Sequence, residues 1–378
     1  MASHSALKLW DGTDFAQLRI PYHRPWERLP RPYPLVQNYH HSVVRQDSNE
    51  WILAMLPPAD QEMADRITVH DTGGFMAWVY PDATRAQLRV LFDFNSWAVP
   101  YDDQFDQYSH FNGDAHKARQ LTGQLRVLTP GSDADGEGST LYGRVLGDIF
   151  ARLRETGLDE SAGEAFKKVI LAFNEATLRE FELRTAGQTF ASITDYVHNR
   201  RDSTAMDAYL LLIPYAMGLT LSSAVRAHPL TRALELCCSD YAGILNDVAS
   251  FPAEFASGGG CHLIRILCET RHLGVQEALD LAHDIGQTCL NDLDEFTDLI
   301  DLADDLGDSD RADLHRYADG LRKFCAGAIR WYIETPRYNM GHELVLKAPS
   351  THLRDHLGLR PAPQELLARR DRAGLSKS

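Results

Sequence analysis

The chain lacks any apolar run approaching the ~20 residues that a membrane-spanning helix needs. It also lacks a basic-then-apolar leader at its start. These absences make a cytoplasmic protein without a membrane span the expectation. Positive charge is scarce: 38 Lys and Arg stand against 53 Asp and Glu, a formal net charge of -15. Nucleic acid is excluded as a partner, because a phosphate backbone calls for stripes of Lys and Arg. Anionic lipid is disfavoured for the same reason. Cysteine is sparse, with six residues and no C-x-x-C or other zinc spacing. Cys261-His262 with Cys268 reads as buried thiols on a helix face rather than as a metal site. Free thiols fit a reducing compartment. Strand-like alternation is essentially missing, and no internal repeat is present.

What the 378 residues do carry is a hydrophobic fraction of 44 %, enough for a sizeable core. Residues 1–34 read as an irregular Pro-, Arg- and aromatic-rich arm that packs on the body or closes over it. From there to residue 340 the helical period dominates. Helices are expected over Asn38–Leu56, Ala86–Gln107, Gly113–Leu128, Tyr142–Thr156, Ser161–Arg184, Ser192–Arg201 and Ala205–Leu219. More are expected over Pro229–Phe251, Gly260–Glu269, Val275–Asp301 and Asp310–Thr335. Pro100 should kink or loosen its helix. Thr129–Thr140 is a Gly/Asp/Ser surface loop, and residues 341–378 form a tail. The fold class is all-α: a single-domain helical bundle with a central apolar pocket.

Three constellations could carry chemistry. Asp102, Asp103 and Asp106 form a D-D-x-x-D string after an apolar run, with Asp102 and Asp106 one turn apart on one face. Like charges so placed repel. They make sense as hard oxygen ligands for Mg²⁺, completed by water and substrate phosphate; the bland alternative is a solvated helix end. Asn246, Ser250 and Glu254 recur at i, i+4 and i+8, a stripe able to hold another metal ion, with Pro252 expected to distort its last turn. The cationic candidates are the pairs Arg200-Arg201 and Arg337-Tyr338. Guanidinium forks grip phosphate, and a phenol adds a donor. Either pair alone reads as ordinary surface charge.

Taken together, the order of these signals resembles the microbial class I terpene synthases. That family carries D-D-x-x-D, then a diphosphate-sensing Arg about 46 positions before an N-D-x-x-S-x-x-x-E triad, then a C-terminal Arg-Tyr pair. The likeness runs from about Pro34 to Tyr338. It implies the class I helical fold and three Mg²⁺ ions, held by Asp102, Asp103 and Asp106 and by Asn246, Ser250 and Glu254. It implies an isoprenyl diphosphate substrate gripped by Arg337 and Tyr338. The sensor is Arg200 by spacing from Asn246 and Arg201 by the local pattern Arg-Arg-x-x-x-Gly. The family is often dimeric, so a homodimer is admitted. Three departures remain. Ala205 stands where a glycine often follows the double Arg, Ala253 replaces a basic residue, and Pro100 precedes the aspartates. None removes a required ligand.

The chemistry implied is loss of diphosphate followed by carbocation cyclisation in a dry, aromatic pocket. Candidate lining residues are Phe92, Asn95, Ser96, Ala98, Val99, Ala205 and Trp331. Phe94, Trp97 and Tyr101 are further aromatic candidates for which core packing is the stronger reading. The small residues before Asp102 favour the C20 substrate geranylgeranyl diphosphate over C15 farnesyl diphosphate. Two readings compete. Chain elongation needs a second D-D-x-x-D, and Asp304-Asp305-Leu306-Gly307-Asp308 supplies one, but it begins 202 residues after the first motif, whereas the triad begins 144 after it. The other competitor is a non-catalytic acidic helical protein that binds metal or a partner.

Overall fold

The computed structural model describes Tyr33 and residues 35–55, 64, 67–105, 114–125, 141–256 and 261–339; of residues 124, 252–256 and 339 it describes the backbone alone. All regular structure among the described residues is helical. The first five α-helices are α1 (His41–Met55), α2 (Gly74–Val79), α3 (Arg85–Asp102), α4 (Ala115–Leu125) and α5 (Leu141–Glu155). Next come α6 (Glu160–Thr185), α7 (Ile193–Ser203), α8 (Met206–Ala216), α9 (Ser223–Ala227) and α10 (Pro229–Ala256). The series closes with α11 (Leu263–Arg271), α12 (Val275–Asp298), α13 (Asp308–Glu334) and α14 (Pro336–Asn339), a 3-10 turn at Leu299–Leu302 preceding α13. No helix among the described residues is long and apolar enough to cross a membrane.

Two helices form the centre. In α3 every residue from Val90 to Ala98 is buried. α13 is buried on several sides from Leu314 to Tyr332. Two glycines allow close packing of α13. A Cβ at Gly327 would lie 2.2 Å from the Trp78 carbonyl oxygen of α2, and one at Gly320 would lie 2.5 Å from a methyl of Ile213 in α8. The rest of the bundle wraps this pair, with α1 and α5 on α3, and α10 between α12 and α13.

The start of α3 is set by a capping box: Thr84 accepts from the Gln87 backbone, and Gln87 reaches back to the Thr84 backbone. Pro100 does not end the helix, which runs on to Asp102. Its ring lies in the last turn, where only the bond to the Ser96 carbonyl is forgone. Deeper in α3, Asp93 is fully buried and accepts from Arg89 at 2.9 Å and from Arg152 of α5 at 2.5 Å. Burial pushes its carboxyl up, against the pull of the two guanidiniums. Arg152 also lies 4.6 Å over the Trp51 ring of α1, so one ion cluster fastens α3 to α1 and α5.

The expected helices are present with ends moved by a few residues. α2, α9 and α14 were not anticipated; each is a single short run without a resolvable period. α10 continues through Pro252 to Ala256 instead of breaking there. The Thr129–Thr140 loop, the tail after residue 340 and all of the arm except Tyr33 lie outside the described residues. Tyr33 donates to Asp294 of α12 at 3.1 Å and packs on Arg322 of α13.

Candidate active site

Four separate segments bring their polar residues to one end of the bundle. The first is the C-terminus of α3, where Asp103 is 8 % exposed. The second is α14, launched by a tight exit from α13. There Thr335 takes an extended backbone before Pro336, its N–H donates to the Trp331 carbonyl, and its hydroxyl accepts from the Arg337 N–H at 3.2 Å. This turn aims Arg337 and Tyr338 back at the bundle. The third is the last turn of α7, carrying Arg200 and Arg201, where helix-end carbonyls favour cations. The fourth is α10, with Asn246, Asp247 and Ser250.

The side chains form two hydrogen-bonded groups that meet at the adjacent residues Arg337 and Tyr338. Arg337 donates to Asp103 at 2.8 Å. The neighbouring Tyr338 hydroxyl accepts from Asn246 Nδ2 at 2.9 Å. Asn246 Oδ1 accepts from Arg200 Nη2 at 2.7 Å, and the same guanidinium lies 2.6 Å from Asp247. Asp247 is fully buried and also accepts from the Tyr196 hydroxyl and the Leu263 N–H. Glu180 of α6 completes the seat. It accepts from Ser203 at 2.5 Å and Asn199 at 2.9 Å, with its other oxygen 3.9 Å from Arg200. Burial raises the Glu180 carboxyl, and Arg200 lowers it less.

Arg201 faces elsewhere. It forks onto Asp240 at 2.6 and 2.8 Å, and that bond raises its pKa. The structure therefore joins Arg200, and not Arg201, to the Asn246 motif. Asp106 lies outside the described residues, as does the side chain of Glu254. Among the described residues no three His, Cys, Asp or Glu side chains form a metal cluster. Metal ligation still fits the donor set. Ser250 Oγ is buried with no hydrogen-bond partner among the described residues, one turn along α10 from Asn246. A buried hydroxyl left unpaired is costly, and a cation beside it would satisfy it.

Below the polar end lies an aromatic wall. Phe75 of α2 meets Trp331 edge-on at 5.4 Å and Tyr209 of α8 at 5.6 Å. Trp331 in turn meets Tyr338 at 5.8 Å. Some expected lining residues look another way. Phe92 packs on Gly73 and His41 of α1, because its position on α3 is a quarter-turn off the Asp102 face. Trp97 donates to the Tyr142 carbonyl of α5 and Tyr101 to Asn174 of α6; both are core. Ala98, Asn95 and Ser96 are buried, as is Ala205. Ala205 holds a left-handed backbone, φ 55°, between α7 and α8. A glycine would adopt that conformation without strain, which is the physical sense of the departure there.

Tyr196, Asp247, Glu180, Phe75 and Tyr209 were not singled out from sequence. Asp247 was within reach, being inside the N-D-x-x-S string, and Tyr196 lies one turn before Arg200. Glu180 gave no signal, since only the packing of α6 on α7 brings it near.

An all-α bundle that gathers carboxylates, an amide, guanidiniums and a phenol over a cluster of aromatic rings has the donor set that metal-assisted diphosphate chemistry uses. The chain belongs to terpene synthase family 2, the C-terminal metal-binding family, whose model matches residues 93–292; it is a class I terpene synthase, a lyase that releases diphosphate. Among relatives, a 4-epi-cubebol synthase of Streptosporangium roseum, named as cyclising (2E,6E)-farnesyl diphosphate, is 27 % identical over 312 residues, covering 82 % of this chain and 91 % of its own. Sesquiterpene synthase 6 of Postia placenta is 26 % identical over 322 residues, covering 81 % and 87 %. In fold, the chain is similar to linalool/nerolidol synthase from Streptomyces clavuligerus in complex with 2-fluorogeranyl diphosphate, with TM-score 0.71 and 20 % identity, covering 78 % of this chain and 99 % of that one.

Proposed function

We propose that the protein is a sesquiterpene cyclase, ionising farnesyl diphosphate with Mg²⁺ and cyclising the carbocation. The observation that carries this reading is the convergence of two hydrogen-bonded groups, Asp103 with Arg337 and Tyr338 with Asn246 and Arg200, at the adjacent residues Arg337 and Tyr338. It ties acidic, amide and cationic groups from four segments into one site. The preference for a C20 substrate drawn from the sequence is withdrawn. Relatives are named for sesquiterpenes, and the rings of Phe75, Tyr209, Phe324 and Trp331 gather in a cluster that the α3 sequence alone did not reveal.

In this reading Asp102, Asp103 and Asp106 and the Asn246, Ser250 and Glu254 triad hold three Mg²⁺ ions. Bound there, the metal supplies Lewis-acid neutralisation of the leaving diphosphate. Arg337 and Tyr338 donate to the diphosphate oxygens. Arg200 senses the same group, with Asp247 and Glu180 positioning its guanidinium. Arg201 is a structural partner of Asp240. Trp331 and Phe75 present ring faces to the cation and exclude water from it.

The test is incubation of the purified protein with geranyl, farnesyl and geranylgeranyl diphosphates, with Mg²⁺ or with EDTA, followed by gas chromatography–mass spectrometry. A cyclic C15 product from farnesyl diphosphate that EDTA abolishes is expected. A C20 hydrocarbon in its place would overturn the substrate assignment. Longer prenyl diphosphates formed on adding isopentenyl diphosphate would replace cyclisation by chain elongation.

A further inference from the structure

The aromatic cluster beneath the polar end contains a buried amide–phenol pair whose polarity is fixed by its neighbours. Asn95 lies seven residues before Asp102 on α3, two turns down the same face. It is 2 % exposed. Its Nδ2 donates to the backbone carbonyl of Thr72. A carbonyl can only accept, so this bond decides which end of the amide is nitrogen. The amide oxygen then faces the Tyr209 hydroxyl at 2.7 Å. That oxygen also can only accept, so the phenol must donate to it. The one proton of Tyr209 is committed, and its oxygen has only lone pairs for anything else in the pocket.

Tyr209 is built into the wall described above. It is 5 % exposed. Its ring lies 5.6 Å from Phe75 and 5.6 Å from Phe94, and its backbone carbonyl accepts from the Tyr80 hydroxyl at 2.7 Å. Through Phe75 and Trp331 the wall continues to Tyr338. Burial, with help from Asp102 and Tyr338, holds the phenol well above its ordinary pKa and therefore protonated.

We infer that Tyr209, oriented by Asn95, is a specificity-determining residue of the cyclisation, its phenol oxygen presenting a fixed partial negative charge that favours intermediates whose positive carbon lies against it. The inference rests on the cyclase reading above. It also says what Tyr209 does not do. With its proton held by Asn95 it cannot reprotonate a neutral intermediate, so its influence falls on which cation accumulates.

The experiment compares wild type, Tyr209→Phe and Asn95→Leu with farnesyl diphosphate and Mg²⁺, reading product ratios by gas chromatography–mass spectrometry beside melting temperatures. Tyr209→Phe removes the oxygen and keeps the ring. Asn95→Leu keeps the phenol but frees its proton. We expect each to shift the ratio of main to minor products by about fivefold or more, the scale of one cation contact in a dry site. Substrate consumption should fall less than about tenfold. An unchanged product ratio in the folded variants would overturn the inference and leave the cyclase reading standing. If Tyr209→Phe fails to fold, Asn95→Leu decides alone; if both fail, 3-fluorotyrosine at position 209, with its weaker acceptor oxygen, takes their place. No terpene from wild type with any prenyl diphosphate would overturn both.

Discussion

The string D-D-x-x-D occurs twice in this chain, and the two copies sit in opposite surroundings. The first, beginning at Asp102, ends a helix buried on nearly every side, and its Asp103 is held by Arg337 at 2.8 Å. The second, beginning at Asp304, lies in the turn before α13. There the Asp305 side chain is 74 % exposed beside His228, and that of Asp308 is 97 % exposed. α13 spans 27 residues, so the second string lies about 40 Å from the end that carries Arg337. Identical letters thus acquire different chemistry from two things outside the motif: the apolar helix that delivers it and the cation that meets it. The distant copy follows no buried helix, and its contacts, Asp308 with Arg311 and Asp305 with His228, lie at exposed carboxylates, which removes the main support for chain elongation.

The largest test of this contrast is paired alanine substitution. Asp102→Ala should lower kcat/KM by about 10³-fold or more through loss of Lewis-acid help. Asp304→Ala should change it less than about twofold. Equal losses at the two sites would erase the distinction. Next in size is the cation. Arg337→Ala should cost about 10²-fold in turnover and, through loss of the buried ion pair with Asp103, about 3 kcal/mol of stability. Arg311→Ala, beside the exposed copy, should keep turnover within about twofold, although losing its bonds to the Ala303 and Leu306 carbonyls lowers the melting temperature.

A finer version of the comparison lies within one dipeptide. Arg200→Lys removes the fork near Asn246 and should reduce kcat/KM by about 10²-fold. Arg201→Lys should keep activity within about threefold and lower stability by about 1 kcal/mol, since it loses only its partly exposed hold on Asp240. Steady-state kinetics with thermal melts separates the two; the reverse ranking would move the sensor to Arg201. Backbone strain also distinguishes the regions. No residue from Asp304 to Asp308 has positive φ, whereas Ala205 does. Ala205→Gly should raise stability by up to about 1 kcal/mol, read as a rise in melting temperature.

The smallest effect expected is on the pH profile of stability. The folded Glu180 carboxyl is raised above its ordinary value, by burial first. Its contribution is therefore complete below the ordinary glutamate pKa and is lost as pH rises through the raised one. Glu180→Gln should flatten that decline in melting temperature with pH. An unaltered slope would show that the carboxyl titrates normally.

Much of this was legible in the letters. The helical period located most of the elements because burial on one or more faces leaves a 3.6-residue trace. Asp102, Asn246, Arg200 and Arg337 were singled out by order and spacing along the chain, and the last three meet in hydrogen-bonded groups at one end of the bundle. Tyr196, Asp247 and Glu180 were not, since a seat for a guanidinium is assembled from three helices and leaves no periodic mark. The preference for a C20 substrate weighed only residues of α3, whereas the clustered rings of Phe75, Tyr209 and Trp331 come from α2, α8 and α13.

The ion cluster at Asp93 acts as the fulcrum of a lever. Asp102 stands nine residues further along the same helix, about 13 Å away. A tilt of about 5° at the fulcrum would carry the carboxylate about 1 Å sideways, a displacement that can cost a hundredfold in rate when reacting groups must be aligned. Arg89 and Arg152, by holding Asp93, thus brace the helix that carries Asp102 against such a tilt.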